Sequence, residues 1–122
     1  GAELEGANLT GADLTSADLS GANLNYASMS GAILTGADLT RAYLLETNLS
    51  GGNLTGANFS GAKVVSTLLA GANLSGANFS DADLTGADLT GTNLNSAKLS
   101  RTDLSVAIMP NGVKNAWGVW GG

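Results

Sequence analysis

The chain has 122 residues and a formal net charge of −5, from ten carboxylates against five cations. It contains neither cysteine nor histidine, which excludes disulfide bonds, cysteine-ligated metal sites and every mechanism that needs an imidazole or a thiolate. Hydrophobic residues make up 43% of the chain but aromatic residues only 5%, and no apolar run approaches the roughly 18 residues of a membrane span.

An apolar residue recurs at every fifth position from Leu4 to Met109, which gives 22 consecutive pentapeptides. This central residue is leucine in 17 repeats, and the residue two positions before it is alanine in 17. Aspartate or asparagine stands between them in 14 repeats, and serine or threonine follows the central residue in 15, often with glycine next. The pattern predicts two inward positions and three polar or turn positions in each repeat.

A period of five fits neither a continuous helix nor a straight strand. On an α-helix, successive central residues would step by roughly 140° around the axis and leave no single apolar face. On a strand, the odd spacing would place alternate leucines on opposite sides of the sheet. A chain that is extended for three residues and turns through two satisfies the pattern, because glycine accepts φ > 0 and the hydroxyl can bond nearby backbone. We therefore predict an all-β solenoid over residues 1–109.

Departures from the repeat indicate how many pentapeptides close one coil. The central residues Phe59 and Phe79 lie 20 positions apart, as do Thr47 and Thr67. One of the four corners is held by glycine alone, in the series Gly11, Gly31, Gly51, Gly71 and Gly91. These spacings favour four pentapeptides per coil, so that 22 repeats form about five and a half coils stacked about 4.8 Å apart.

Residues 110–122 leave the repeat and are predicted to be a capping segment or a tail. Val113, Ala116, Trp117 and Trp120 have the spacing of one apolar face on a short helix. We predict that Trp117 and Trp120 cap the last coil, the alternative being an exposed tail that binds a partner. The sequence shows no comparable cap for the N-terminal coil, so we expect either that a preceding segment is missing or that the open coil stacks on something. We therefore expect a monomer, or a weak homodimer through an end coil.

The runs GADLTSADLSGANL, GANFSGA and GANLSGANFSDADLTGADLTGTNL resemble the pentapeptide repeat proteins, whose consensus is A(D/N)LXX. The resemblance covers residues 2–109 and implies a right-handed quadrilateral β-helix with four pentapeptides per coil. It also implies abundance in cyanobacteria and no single activity, the known functions of the family being non-enzymatic. We expect a soluble protein without a membrane contact, in the cytoplasm rather than in the periplasm or thylakoid lumen.

The best-known activity that the resemblance implies is inhibition of DNA gyrase by a rod that imitates DNA. Such a rod has to match about one negative charge per 1.7 Å, so roughly 26 Å of rod would need on the order of 15 surface charges. Ten carboxylates, partly neutralised by five cations, fall short of that. DNA mimicry is therefore the alternative function, and no binding to nucleic acid is expected because there is no basic stripe.

Five outward positions in the middle of the rod are apolar where the repeat predicts polar residues: Tyr26, Tyr43, Leu45, Val65 and Leu68. On a four-sided coil Leu45 stacks directly on Val65, and Glu46 and Lys63 stand at the rim. An exposed apolar cluster with a polar rim suits a contact with a protein partner, whose identity the sequence does not provide. The alternative is surface variation without a function.

The remaining polar residues are interpreted as structural. Asp18 over Asp38 and Asp83 over Asp103 are expected to form solvated columns, and stacked asparagines such as Asn53 and Asn73 are expected to bond along the rod. Serine and threonine occupy turns in a uniform array without a histidine or a singled-out lysine as base, so no catalytic residue, metal site or cofactor is predicted. The predicted function is a non-enzymatic scaffold for protein contacts.

Overall fold

The structure, a computed structural model, describes residues 1–112, and these form a single solenoid. Each repeat pairs with its neighbours through one residue, the one before the central residue, and turns over the two residues after it. Residues 1–112 therefore contain no helix and no strand longer than such a single bridge residue. The predicted caps, Trp117 and Trp120, lie outside the described residues, so capping stays a prediction.

Every bridge is parallel and joins residues 20 positions apart, from Glu3 with Asn23 to Asp88 with Ile108. The bridges form four columns, which we name faces one to four in chain order, beginning with Glu3, Asn8, Asp13 and Asp18. This confirms the coil of four pentapeptides and the right-handed quadrilateral β-helix. Face one contains Glu3, Asn23, Tyr43, Lys63, Asp83 and Asp103, and face two contains Asn8, Ser28, Asn48, Leu68, Asp88 and Ile108.

The backbone hydrogen bonds follow one scheme in each repeat. In the repeat around Leu24, the N–H of Asn23 donates to the coil below, to Ala2 O at 2.8 Å, and the N–H of Leu24 donates to the coil above, to Tyr43 O at 2.8 Å. The N–H of Ala27 closes the turn on Leu24 O at 3.1 Å. The residue after the central one is left with an N–H that has no backbone acceptor.

The aspartate or asparagine side chain supplies that acceptor. In all 14 repeats that have one, its Oδ1 accepts a hydrogen bond from the backbone N–H two residues later, as Asn58 does from Ser60 at 2.9 Å. A side-chain hydroxyl often donates a second hydrogen bond to the same oxygen. Thr15 Oγ1, for example, donates to Asp13 Oδ1 at 2.6 Å. The prediction that stacked asparagines bond along the rod was wrong, because their Oδ1 atoms serve their own turns.

The core is a column of central side chains and the small residues that precede them. From Ala22 to Leu89 every one of these inward residues is buried, and the rings of Phe59 and Phe79 stack at 4.7 Å between centroids with 9° between their planes. Where threonine replaces alanine inside, its hydroxyl is satisfied, since Thr47 Oγ1 donates to Leu24 O at 2.7 Å. Central residues near the ends, namely Leu4, Leu9, Leu14, Leu94 and Leu99, are partly buried.

Every turn from residue 6 to residue 106 ends in a residue with positive φ, including nine that are not glycine, with φ between 50° and 62°. The left-handed conformation costs a non-glycine residue roughly 1–2 kcal/mol, more where the side chain is β-branched. Val106, at φ 50°, is the β-branched member of this set. The four corners therefore store strain wherever glycine is replaced.

We expect Val106→Gly to raise the free energy of unfolding by about 1 kcal/mol, because it relieves that strain at an exposed side chain. Gly71→Ala is the matched opposite: φ is +71° and an added Cβ meets no atom within 4 Å, so only strain changes, and we expect a loss of about 1 kcal/mol. Urea unfolding measures both. A loss of stability in Val106→Gly would contradict the assigned backbone conformation.

Candidate protein-interaction edge

Face one meets face two at a corner where four of the six last turn residues are not glycine, compared with three of five at the corner after face four and two of five at the corner after face three. The last turn residues of this first corner are Gly6, Tyr26, Glu46, Ser66, Gly86 and Val106. The next corner has glycine from Gly11 to Gly91. What distinguishes the first corner is that two of its strained residues, Tyr26 and Val106, are exposed and apolar, and side chains kept in spite of backbone strain point to a use.

The apolar patch, defined as Tyr26, Tyr43, Leu45, Val65 and Leu68, lies along this corner. Tyr26, Tyr43 and Leu68 are 52%, 49% and 43% exposed, whereas Leu45 and Val65 are half-buried between them. Tyr43 forms bridges with Asn23 below and Lys63 above, and the N–H of Tyr26 donates to Leu45 O at 2.8 Å. The structure thus brings all five residues to one edge of the prism, across three successive coils.

Some repeats of the patch also lack the turn hydrogen bond between a backbone N–H and an aspartate or asparagine Oδ1. On faces one and two, six of the twelve outward bridge residues are neither aspartate nor asparagine, against two of ten on faces three and four. Within residues 1–112 the N–H groups of Val65 and Ala70 consequently have no acceptor, since Lys63 and Leu68 stand where the aspartate or asparagine would be. The N–H of Leu45 is bonded differently, to Asn25 Oδ1 of the coil below at 2.9 Å.

The patch predicted from the sequence left out one apolar residue of this edge, Val106. Val106 is 45% exposed and lies at the first corner, one coil above Gly86 and two coils above Ser66. Counting in steps of 20 from Tyr26 would have assigned Val106 to the edge. Ile33, 37% exposed, lies apart from it on face three.

The aspartates are largely committed to local contacts. The hydroxyls of Thr15, Ser20 and Ser105 donate to Asp13, Asp18 and Asp103, and with the backbone N–H groups of the same residues they lower the pKa of each carboxyl. Asp81 accepts a hydrogen bond from Arg101 Nε at 2.5 Å, and this bond lowers the pKa of Asp81. These charges hold turns and corners in place.

The glutamates differ from the aspartates in their position on the rod and in their side-chain contacts. The chain has three, Glu3, Glu5 and Glu46, and all are exposed on face one or at the first corner. Among residues 1–112, the one side-chain contact found for them is a long one, from Asn23 Nδ2 to Glu3 Oε2 at 3.5 Å. The carboxylates that are not engaged in a turn or an ion pair are therefore gathered beside the tyrosines.

Residues 1–112 offer an open surface for contact. The described part of the chain has no pocket and no group of three or more acidic side chains placed to hold a metal ion. Within the same residues, no helix has the length and apolar character needed to cross a bilayer. What this surface provides is a straight edge with exposed aromatic, aliphatic and carboxylate groups.

Comparison with known proteins identifies the repeat. The family model described as pentapeptide repeats matches in eight copies, within residues 2–41, 22–61, 32–71 and 67–105. The crystal structure of Rfr23, a pentapeptide repeat protein from the cyanobacterium Cyanothece 51142, is 42% identical with a TM-score of 0.70, over 70% of this chain and 58% of that one. The expected kinship with cyanobacterial proteins is confirmed.

Two structures of trypsin-treated variants of QnrB1, a plasmid-mediated fluoroquinolone resistance protein, are also similar. One variant is 26% identical with a TM-score of 0.70, over 96% of this chain and 53% of that one. The other, 24% identical with a TM-score of 0.78 over 93% of this chain and 56% of that one, shows the shared fold alone. The chain thus spans little more than half the length of these solved proteins. No curated protein matches it.

Proposed function

This chain belongs to the pentapeptide repeat family, and from that premise we propose that it is a non-enzymatic scaffold whose apolar patch binds a protein partner. The observation that carries the proposal is the concentration of departures from the repeat at one edge. Three exposed apolar side chains, on Tyr26, Tyr43 and Leu68, lie together there with the open N–H groups of Val65 and Ala70. Each departure is unfavourable or neutral for the isolated rod, so a contact with another protein is the use that accounts for all of them together.

The composition of the patch supports this use. Protein interfaces favour a centre of aromatic and aliphatic groups with a polar rim, and Tyr43 with Leu45 and Val65 provides such a centre. The open N–H groups of Val65 and Ala70 can donate to carbonyl or carboxylate oxygens of a partner, in place of the missing aspartate or asparagine. The contact would therefore combine apolar burial with hydrogen bonds that fix its register.

A second candidate is DNA mimicry, which the family resemblance implies, and a variant of the fluoroquinolone resistance protein QnrB1 is 26% identical to this chain. The surface charge weighs against it. Of the ten carboxylates, Asp81 is neutralised by Arg101, and the seven aspartates are distributed over all four faces and one corner rather than along one continuous stripe. A DNA-like surface needs a dense row of about one charge per 1.7 Å. We therefore place protein binding through the patch first.

The test is the triple variant Tyr43→Ser, Leu45→Thr, Val65→Thr, which brings the patch closer to the repeat. We expect its melting temperature to change little, since Tyr43 is exposed, Leu45 and Val65 are only half-buried, and none of the three belongs to the buried core. We expect at least a tenfold loss in the capture of those proteins that the native rod retains from native lysate, measured by quantitative mass spectrometry. Self-association is followed in parallel by analytical ultracentrifugation.

The matched control is Asn53→Ser, Thr55→Ser, Ser75→Thr on face three, which changes as many residues away from the patch. We expect this control to capture partners as the native rod does. If the patch variant also keeps full capture while deletion of residues 113–122 abolishes it, the patch is not the binding site and the C-terminal residues are.

A further inference from the structure

Asn25 lies one coil below the centre of the apolar patch and is hydrogen-bonded to it. It occupies the position directly after a central leucine, which serine or threonine fills in 15 of the 22 repeats, and Leu45 follows it 20 positions later in the same column. Its Oδ1 accepts a hydrogen bond from the N–H of Leu45 at 2.9 Å, and its own N–H donates to Asn23 Oδ1 at 3.0 Å. Asn25 therefore has its own turn closed in the usual way and also closes a turn of the next coil.

This bond is an exception among the repeats that lack the usual acceptor. Eight of the 22 repeats have neither aspartate nor asparagine before the central residue, and in one of them the residue to be bonded is Pro110, which has no N–H. Of the seven N–H groups left, only that of Leu45 finds an acceptor within residues 1–112. The other six belong to Glu5, Ser30, Thr35, Val65, Ala70 and Ser100. The fold thus tolerates an open N–H at this position, so folding alone does not require the Asn25 side chain.

We propose that Asn25 is a positioning residue of the binding edge, which compensates for the presence of Tyr43 in the patch. This inference rests on the proposed function and adds a residue to its site. Tyr43 stands where an aspartate or asparagine would accept from the N–H of Leu45, so a ring at this position removes the turn bond. The carboxamide of Asn25 supplies the missing acceptor from the coil below.

The bond fixes the backbone that carries two members of the patch. Tyr43 and Leu45 stand on either side of Leu44, whose N–H donates to Lys63 O of the coil above at 2.8 Å. Together with the bond to Asn25, this holds the stretch from both neighbouring coils. Groups that are fixed before contact lose less conformational freedom on binding, so Asn25 strengthens the contact without having to touch the partner.

Amide hydrogen exchange of the ¹⁵N-labelled full chain tests the bond itself. We expect the protection factor of the Leu45 amide to exceed that of the open Val65 amide at least tenfold. Asn25→Ser should lower the Leu45 protection factor at least tenfold, whereas Asn25→Asp, which keeps an acceptor oxygen, should keep it within threefold.

Asn95→Ser is the matched control, because Asn95 occupies the same turn position and its side chain makes no hydrogen bond within residues 1–112. It should leave the Leu45 protection factor unchanged. An unprotected Leu45 amide in the native chain would overturn the proposal.

A double-mutant cycle tests whether Asn25 replaces the acceptor that Tyr43 displaces. We expect Asn25→Ser to lower the melting temperature of the native chain by about 3 °C. In the Tyr43→Asn background the same change should lower it by less than about 1 °C, because the introduced asparagine can accept from the Leu45 N–H within its own turn. Equal losses in the two backgrounds would show that the positions are independent and would overturn the proposal.

Capture from native lysate separates this inference from the proposed function. At a temperature where all variants are folded by circular dichroism, we expect Asn25→Ser to lose at least threefold in the capture of the proteins that the native rod retains, and Asn95→Ser to lose none. If the patch variant loses those proteins while Asn25→Ser keeps them, the positioning role fails and the proposed function stands. If the patch variant keeps them all, the proposed function fails and the positioning role fails with it.

Discussion

Replacing Phe79 with alanine should lower the free energy of unfolding by about 3–5 kcal/mol, the largest stability effect that we expect from one substitution. The Phe79 ring is fully buried and stacks on Phe59 at 4.7 Å between centroids. Its loss removes both the buried apolar surface and the stacked pair. The interior cannot close over the gap, because the backbone ladder holds the coils at a constant spacing. Chemical denaturation followed by circular dichroism measures the change.

Phe79→Leu is the matched control, since leucine is the usual central residue. We expect it to cost less than about 1.5 kcal/mol, because it nearly conserves the volume and restores the repeat. The double variant Phe59→Leu, Phe79→Leu should then be less destabilised than the sum of its two single variants, since the stacked pair is lost only once. If Phe79→Leu cost as much as Phe79→Ala, the stacked arrangement of the core would be contradicted.

Insertion of one extra pentapeptide, Gly-Ala-Asn-Leu-Thr, after Thr55 should leave the rod folded and abolish binding through the patch. Every repeat uses the same backbone hydrogen bonds, so the later coils can pair one face further on. The insertion rotates everything beyond it by a quarter turn and carries Val65 and Leu68 away from Tyr43. We expect the free energy of unfolding to stay within about 2 kcal/mol of the native value, while partner capture falls at least tenfold.

The control is the same insertion after Thr90, which rotates only the last described coil and leaves the patch intact. It should match the first insertion in stability and the native rod in capture. Thermal unfolding and quantitative capture from lysate provide the two measurements. Equal capture by both insertion variants would show that binding does not require Tyr43 and Val65 on one edge. Unfolding of both would contradict the equivalence of the four faces.

The period of five determined most of the fold. Each repeat has an inward alanine, an outward polar residue, an inward leucine and a two-residue turn, and it packs against equivalent repeats about 20 positions away in the neighbouring coils. The inward positions were therefore predicted correctly, and Phe59 with Phe79 indicated the 20-residue coil that the parallel bridges confirm. The five residues of the apolar patch followed from the same spacing.

The role of the aspartates and asparagines was decided by the tertiary structure. Only when the coils are stacked does it become clear which backbone N–H groups the ladder leaves without an acceptor. The Oδ1 of Asn58 therefore bonds within its own turn rather than along the rod. The same hydrogen bonds separate the engaged aspartates from Glu5 and Glu46, a difference that formal charge does not show.

The sequence by itself thus determined the solenoid, its core and the apolar positions on its surface, because the repeat encodes them locally. The tertiary structure decided which polar surface groups are engaged in intramolecular hydrogen bonds and which can contact a partner. Hydrogen bonds between neighbouring coils arise only after the coils stack, and the positive φ of Tyr26, Glu46 and Val106 is seen only in the folded backbone. The physical reason is that a polar side chain is free to bind a partner only where the folded backbone does not already hold it in an intramolecular hydrogen bond.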